Sequence, residues 1–430
     1  MKDFYELKNG LRVYLKNINN QYSVNILVNI ECGAFYPQTQ PVGMAHMLEH
    51  NIFSESKGEK TLDEKLGELG TFAEANTYDF YTSYNIHTFK EQTRVCLELL
   101  LNKLFNAKFD ESFFKNEKKI IYQEYLKQRN NIMPANSFSA SEKFYSGSFI
   151  SNSGYGIGTK TQINAINFDD MINFYNTYYT MDHSSIVIVG NFDKRKILKI
   201  IKRFTYGIDN VKKKHNQYTI QNLDFSKSNS LEIVHSKKTL LSSCVELMFS
   251  GTNELDENKW SYEVLTNMLC GLSTSSIIKK RLRKELGIVY NSDASTDTSI
   301  CYNDCGTLSI RYFVDNNKIN QSILECFKCL QEIKENKYED IFNYSRQCVI
   351  TNLLIKYENI ENFSLAHANE LMFNQEYFNT KKVIKKISQT TYSDIVKCVD
   401  HMLSHKIILA ITGSDFNEKD LRNSLKDYII

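Results

Sequence analysis

The chain has 430 residues, 42% hydrophobic and 24% charged, with a formal net charge of +2; such numbers describe a globular protein too long for one ordinary core and comfortable as two domains. Charge this close to balance excludes the electrostatic footprint of a nucleic-acid binder and a polybasic membrane patch, and no apolar run reaches the roughly 18 residues of a membrane-spanning helix. The start, "MKDFYELKNGLRVYLKN", has no signal-like apolar run, so the ten cysteines are expected as reduced thiols in a cytoplasm.

In chain order, "SVNILVNIECG" (Ser23 to Gly33) is rich in β-branched residues and reads as a strand. A helix is expected over Pro41 to Phe53, and another over Thr61 to Gly70 with a glycine stop. "TFAEANTYDFYTSYNIHTF" (Thr71 to Phe89) alternates like a pair of strands, and "EQTRVCLELLLNKLFNAKF" and "DESFFKNEKKIIYQEYLKQRNN" have helical periodicity. "SSIVIVGNF" (Ser184 to Phe192) reads as a buried strand, followed by an amphipathic helix. The pattern then restarts. "VELMFSGTNEL" (Val245 to Leu255) resembles the early strand, and "KIILAITGSDF" (Lys406 to Phe416) resembles "SSIVIVGNF". Two domains built to one plan account for this, over 1–208 and 231–430, with the polar stretch 209–230 as linker. Strands and helices alternate without a βαβ repeat, which points to an α+β fold with mainly antiparallel sheets packed by helices.

The stretch "PVGMAHMLEHNIF" holds the chemistry. On a helix, His46 and His50 stand one above the other, with Glu49 on nearly the same face. Two imidazoles so spaced supply two ligands of a catalytic zinc, and the carboxylate can take a proton from a water and return it to a leaving amine. A histidine pair at helical spacing also arises as an accident of a core or a surface.

H-x-x-E-H is the inverted zinc motif, and here the chain resembles the pitrilysin family of metallopeptidases, the group of insulin-degrading enzyme and mitochondrial processing peptidase. The likeness covers essentially the whole chain and includes "ELKNGLRVYL", "GMAHMLEHNIF", "GELGTFAEANTYDFYTSY", "IVIVGNF" and "RLRKELGIVYNS". The resemblance implies Zn2+, one per chain, on His46, His50 and Glu124, with Glu49 as general base and Glu117 orienting a ligand. It implies that a peptide binds as an added strand on the edge Glu74, Ala75 and Asn76, where relatives often carry Asn-Ala in place of Glu74-Ala75. It further implies that Arg283 and Tyr290 of the second half reach substrate, the tyrosine at the oxyanion and the arginine on a carbonyl; Arg281 competes for the arginine role. The fold would be half of a clamshell. Because one chain carries both signatures, a homodimer is expected, each subunit completing the other's site, with a heterodimer containing an inactive sister chain as the other arrangement.

Cys301, Cys305, Cys326 and Cys329 approach a structural-zinc spacing, but the second pair falls on an amphipathic helix without tight turns, so thiols are expected. The aromatics of "TYDFYTSYNIHTF" read as core and edge strand. The expected function is a cytoplasmic zinc endopeptidase of short or unfolded peptides, with leader or signal-peptide maturation of a ribosomally made natural product as one form of that work. The alternative is a catalytically inactive or partner-dependent subunit of a peptidase heterodimer. A metallohydrolase of non-peptide substrates finds no supporting residue.

Overall fold

Every residue of Ser184–Gly190 is buried, because this run becomes an inner strand with neighbours on both sides and helices over both faces. The computed structural model describes residues 3–36, 40–53, 60–152, 156–208, 230–254, 256–271, 273–298, 306–373 and 378–429. Its strands are β1 (Phe4–Glu6), β2 (Arg12–Asn17), β3 (Ser23–Ile30), β4 (Ala73–Thr77), β5 (Thr82–Phe89), β6 (Ser184–Gly190), β7 (Leu231–Lys237), β8 (Ser242–Ser250), β9 (Ser292–Asp297), β10 (Thr307–Asp315) and β11 (Ile407–Gly413). The α-helices of the first half are α1 (Met44–Ile52), α2 (Leu62–Gly67), α3 (Thr93–Phe105), α4 (Glu111–Asn130), α5 (Ile132–Phe144), α6 (Lys160–Ala165), α7 (Phe168–Tyr178) and α8 (Lys194–Phe204). Those of the second are α9 (Lys259–Cys270), α10 (Ile319–Lys334), α11 (Glu339–Lys356), α12 (Ile360–Phe373), α13 (Thr380–Gln389), α14 (Tyr392–Ser404) and α15 (Glu418–Leu425). Lys279–Glu285 is a π-helix.

The strands form two sheets, ordered β1-β2-β6-β3-β5-β4 and β7-β11-β8-β10-β9. The pairs β2–β6 and β7–β11 are parallel and all others antiparallel. With β1 set aside, the two sheets share one order and one set of directions. The fold is α+β in two domains, as expected, and the duplication is one of topology. Gly190 and Gly413 close the matched inner strands with φ of 131° and 156°. A Cβ would lie 2.3 Å from the Ser23 carbonyl oxygen at the first and 2.1 Å from Ser243 Oγ at the second, so both ends demand glycine.

Contacts gather the chain into two units, one of Met1–Leu126, Ser153–Gln217 and Leu354–Asn379, the other of Lys127–Asn152, Tyr218–Leu353 and Thr380–Ile430. Each unit therefore contains a helix from the opposite half of the sequence, a feature that two contiguous halves do not describe. In the first unit the strands alternate strictly. Val13, Leu15, Ile26, Val28, Ile186 and Ile188 join the large core with α1, α3 and α7. Their neighbours Tyr14, Leu27, Val187 and Val189 point the other way, onto Ile360, Ala368 and Leu371 of α12. His367 of α12 stacks on Tyr14 with ring centroids 3.9 Å apart. In the second unit α5 is held on β11 and β7. Asn136 Nδ2 donates to the Ala410 carbonyl (3.2 Å), Thr412 Oγ1 donates to Asn136 Oδ1 (2.9 Å), and Lys143 pairs with Glu232 (2.6 Å).

Cys326 and Cys329 are fully buried on α10, where burial pushes the Cys329 thiol up to about 12; both are free thiols. Cys301, Cys305 and positions 209–229 of the expected linker lie outside the described residues. Among the described residues no helix is long and apolar enough to cross a membrane.

Candidate metal centre

The helix expected from Pro41 begins at Met44, because Gly43 caps it with φ 89°. A side chain at Gly43 would put its Cβ 2.3 Å from the Ile157 carbonyl oxygen. Met44, Ala45, Met47, Leu48, Asn51 and Ile52 make the buried face of α1. That leaves His46, Glu49 and His50 together on the other face. The two imidazole rings lie 4.7 Å apart at 64°.

From α4, Glu124 completes the group. Its Oε2 is 3.6 Å from His46 Nε2 and 3.7 Å from His50 Nε2. Among the described residues, this is the only set of three or more His, Cys, Asp or Glu side chains with ligand atoms close enough for one metal ion, all within 4.8 Å. Glu117, two turns earlier on the same helix face, has Oε2 2.9 Å from His50 Nδ1. The bond occupies Nδ1 and leaves Nε2 turned to the group.

Charge is distributed unevenly over these side chains. Burial draws His46 down to about 4, and the neighbouring His50 adds to this against the pull of Glu124. At His50 burial also works against the charged ring, but hydrogen bonds to Glu117 and Glu124 and the charge of Glu49 outweigh it and lift the group to about 9. In the metal-free protein near neutral pH, His46 is therefore a free base and His50 carries a proton. Burial raises the Glu49 carboxyl above the ordinary range, partly offset by a hydrogen bond from Thr77. Thr77 Oγ1 donates to Glu49 Oε2 at 2.6 Å.

Thr77 is the residue that sequence reasoning missed. It lies one position past the expected Glu74, Ala75 and Asn76, at the end of β4. That strand is the last of its sheet. Its exposure alternates: Glu74 and Asn76 are exposed, while Ala73, Ala75 and Thr77 are half-buried. The alternation was the available signal, since it sets Thr77 on the same face as Ala75 and opposite to Glu74. Just beyond, Tyr78 stacks on Tyr81 at 4.6 Å.

Arg283 and Tyr290 belong to the second unit. The structure brings them together: the Arg283 guanidinium carbon is 4.9 Å from the Tyr290 ring centroid. Arg281, the competing arginine, is engaged elsewhere, with Nη1 2.7 Å from Glu325 and Nη2 2.8 Å from Glu332.

Comparison with known proteins bears on the family of the chain. Residues 12–143 match the family model described as Insulinase (Peptidase family M16), and residues 165–347 match that of the Peptidase M16 inactive domain. An uncharacterized zinc protease of Bacillus subtilis, YmxG, is 27% identical over 320 residues, 74% of this chain and 75% of its own length. The beta subunit of the mitochondrial-processing peptidase of Dictyostelium discoideum is 20% identical over 408 residues, 92% of this chain and 85% of its own. Among solved structures, a protease from Helicobacter pylori superposes with a TM-score of 0.81 at 18% identity, covering 96% of this chain and 99% of that one. The H-x-x-E-H helix, the duplicated sheets and the two matching models agree, and the chain belongs to peptidase family M16, the pitrilysin family.

Proposed function

We propose that this protein is a zinc-dependent endopeptidase acting on short or unfolded peptides. The observation that carries the reading is the convergence of His46 Nε2, His50 Nε2 and a Glu124 oxygen within 4.8 Å, with Glu49 beside them. Two imidazole nitrogens and one carboxylate, three protein ligands with a position left open, fit a catalytic zinc site. Bound there, the ion supplies Lewis acidity and an acidified water for amide hydrolysis. Glu49 takes the proton of the attacking water and hands it to the leaving amine; its raised pKa suits a group that must both accept and donate. Thr77 holds Glu49 Oε2 and thereby aims the other oxygen. Glu117 fixes the His50 ring through Nδ1.

The peptide lies along β4, pairing its backbone with the strand at Glu74, Ala75 and Asn76, so that many sequences are accepted but only in extended form. Arg283 holds a substrate carbonyl and the Tyr290 hydroxyl stabilises the oxyanion. The first half carries the metal and the second half this pair, in a cytoplasmic homodimer whose subunits complete each other's sites. Processing of a leader or signal peptide is one substrate form that this chemistry serves. A second reading, a subunit that depends on a partner, is favoured by the likeness to a processing-peptidase beta subunit and to a model described as inactive domain.

The test is the zinc content of the purified protein by plasma mass spectrometry, beside Glu124→Gln, with hydrolysis of reduced, unfolded casein by the same samples. About one zinc per chain, lost in the variant together with hydrolysis, is the expected result. A chain that takes up no zinc would refute the metal reading. A zinc-bearing chain that cleaves only after another subunit is added would establish the second one.

A further inference from the structure

The π-helix Lys279–Glu285 carries two arginines two positions apart, and the structure uses them in opposite ways. Arg283 is exposed beside Tyr290, a residue 83% exposed. Arg281 is turned toward α10. Its Nη1 is 2.7 Å from Glu325, its Nη2 2.8 Å from Glu332, and its Nε 3.1 Å from Glu285. Glu325 and Glu332 stand two turns apart on one face of α10. Both are secured in turn, Glu325 by Lys328 Nζ at 2.8 Å and Glu332 by the Tyr338 hydroxyl. All three nitrogens of the guanidinium thus meet carboxylates in a part-buried network, where geometry is better kept than in an isolated surface pair.

The segment that follows hangs from this arginine's own backbone. A π-helix passes its hydrogen bonds one residue further along than an α-helix and is commonly found at functional sites. Here the Leu286 N–H donates to the Arg281 carbonyl (3.1 Å), and the Ile288 and Val289 N–H groups both donate to the Leu282 carbonyl (2.9 and 3.3 Å). Gly287, at φ 64°, allows the reversal. Leu282 and Val289 are buried, but Tyr290 is not. The tyrosine is therefore placed by the backbone turn and by Arg283, with little packing of its own.

We propose that Arg281 is a positioning residue: its three-carboxylate clamp holds the π-helical turn so that Arg283 and Tyr290 are presented as one rigid pair. This rests on the reading above in which that pair contacts the peptide. Lysine replaces the clamp only in part, because a single ammonium lacks the planar fork that spans Glu325 and Glu332. Loss of the guanidinium also leaves three carboxylates facing one another, which pushes the turn away from α10.

The experiment is a double-mutant cycle on the zinc-loaded full chain with Arg281→Gln, Tyr290→Phe and the pair, and Arg281→Lys as conservative variant. kcat and KM are measured on an internally quenched peptide of mixed sequence, with zinc content and thermal midpoint alongside. Tyr290→Phe alone is expected to lower kcat without releasing zinc. Arg281→Gln is expected to lower kcat by about tenfold or more, the scale of a misplaced catalytic group, with KM and zinc little changed and Arg281→Lys in between. In the Tyr290→Phe background the same change should cost clearly less in kcat, since only the placement of Arg283 is then left to lose, while its thermal shift stays the same. An equal kcat loss in both backgrounds would make Arg281 merely structural and overturn the proposal, as would an unchanged kcat in Arg281→Gln. If Tyr290→Phe itself retains full kcat, the substrate role of the tyrosine falls and the proposal falls with it. If Tyr290→Phe is impaired and Arg281→Gln is not, the proposal alone falls. Should Arg281→Gln fail to fold, the cycle is run with Arg281→Lys and read in the same way.

Discussion

Replacing Glu117 by Gln probes the metal centre from one atom away. Glu117 meets Nδ1 of His50 at 2.9 Å, while Nε2 of the same ring is the nitrogen turned to Glu124. The carboxylate stabilises a positive charge on the ring whether that charge is a proton or a metal. Removal of such a partner typically costs about 10–100-fold in metal affinity, roughly 1.4–2.8 kcal/mol. The proton complicates the reading in a predictable direction. His50 is lifted to about 9 without metal, so zinc must displace a proton at neutral pH, and its apparent affinity should fall roughly tenfold per pH unit below that value. Near pH 7 the handicap is on the order of a hundredfold. The Glu117→Gln change lowers the proton affinity of His50 along with its metal affinity, so the variant's handicap at pH 7 is smaller. The full loss should therefore appear at about pH 9.5, and a clearly smaller one at about pH 7. Competition of zinc against a chromophoric chelator at the two pH values measures both. Equal affinities of parent and variant at the higher pH would refute the assignment of Glu117. A parent affinity independent of pH across the interval would refute the protonated His50.

Glu49→Gln should keep about one zinc per chain and lose on the order of 10²–10⁴-fold in turnover; normal hydrolysis by this variant would end the general-base role. Thr77→Val removes a hydrogen bond that lowers the Glu49 pKa. Glu49 should then stay protonated to higher pH, and the acid limb of kcat/KM should move upward by up to about one unit. Thr77→Ser should leave it in place, and superimposed acid limbs for parent and Thr77→Val would contradict the contact.

Several features were legible in the residues because they are local. The spacing of His46, Glu49 and His50 needs only a helix, and the buried face of α1 is written in the apolar residues between them. The inner strands β6 and β11 announced themselves as unbroken apolar runs ending in glycine. Strand limits were less well set. β3 stops at Ile30 rather than Gly33, and the strand expected over Val245 to Leu255 runs over Ser242–Ser250. The same apolar residues fit several frames, and hydrogen bonds to neighbouring strands choose among them. Glu124 was reachable only through the family resemblance, because nothing in its own neighbourhood separates it from the other carboxylates of α4.

What the sequence by itself determined is the short-range chemistry: two imidazoles and a carboxylate on one helix face, and two copies of one strand pattern. Tertiary structure decided everything that depends on distant residues meeting. It brought Glu124 and Glu117 from α4 to α1, and set Thr77 at the tip of an edge strand against Glu49. It carried α12 onto the first sheet and α5 onto the second. It also separated Arg281 from Arg283, two positions apart on one π-helix, by giving carboxylate partners to the first and the Tyr290 ring to the second. The physical reason is that periodicity fixes which side chains share a face, whereas the partner of that face is chosen by the packing of the whole chain.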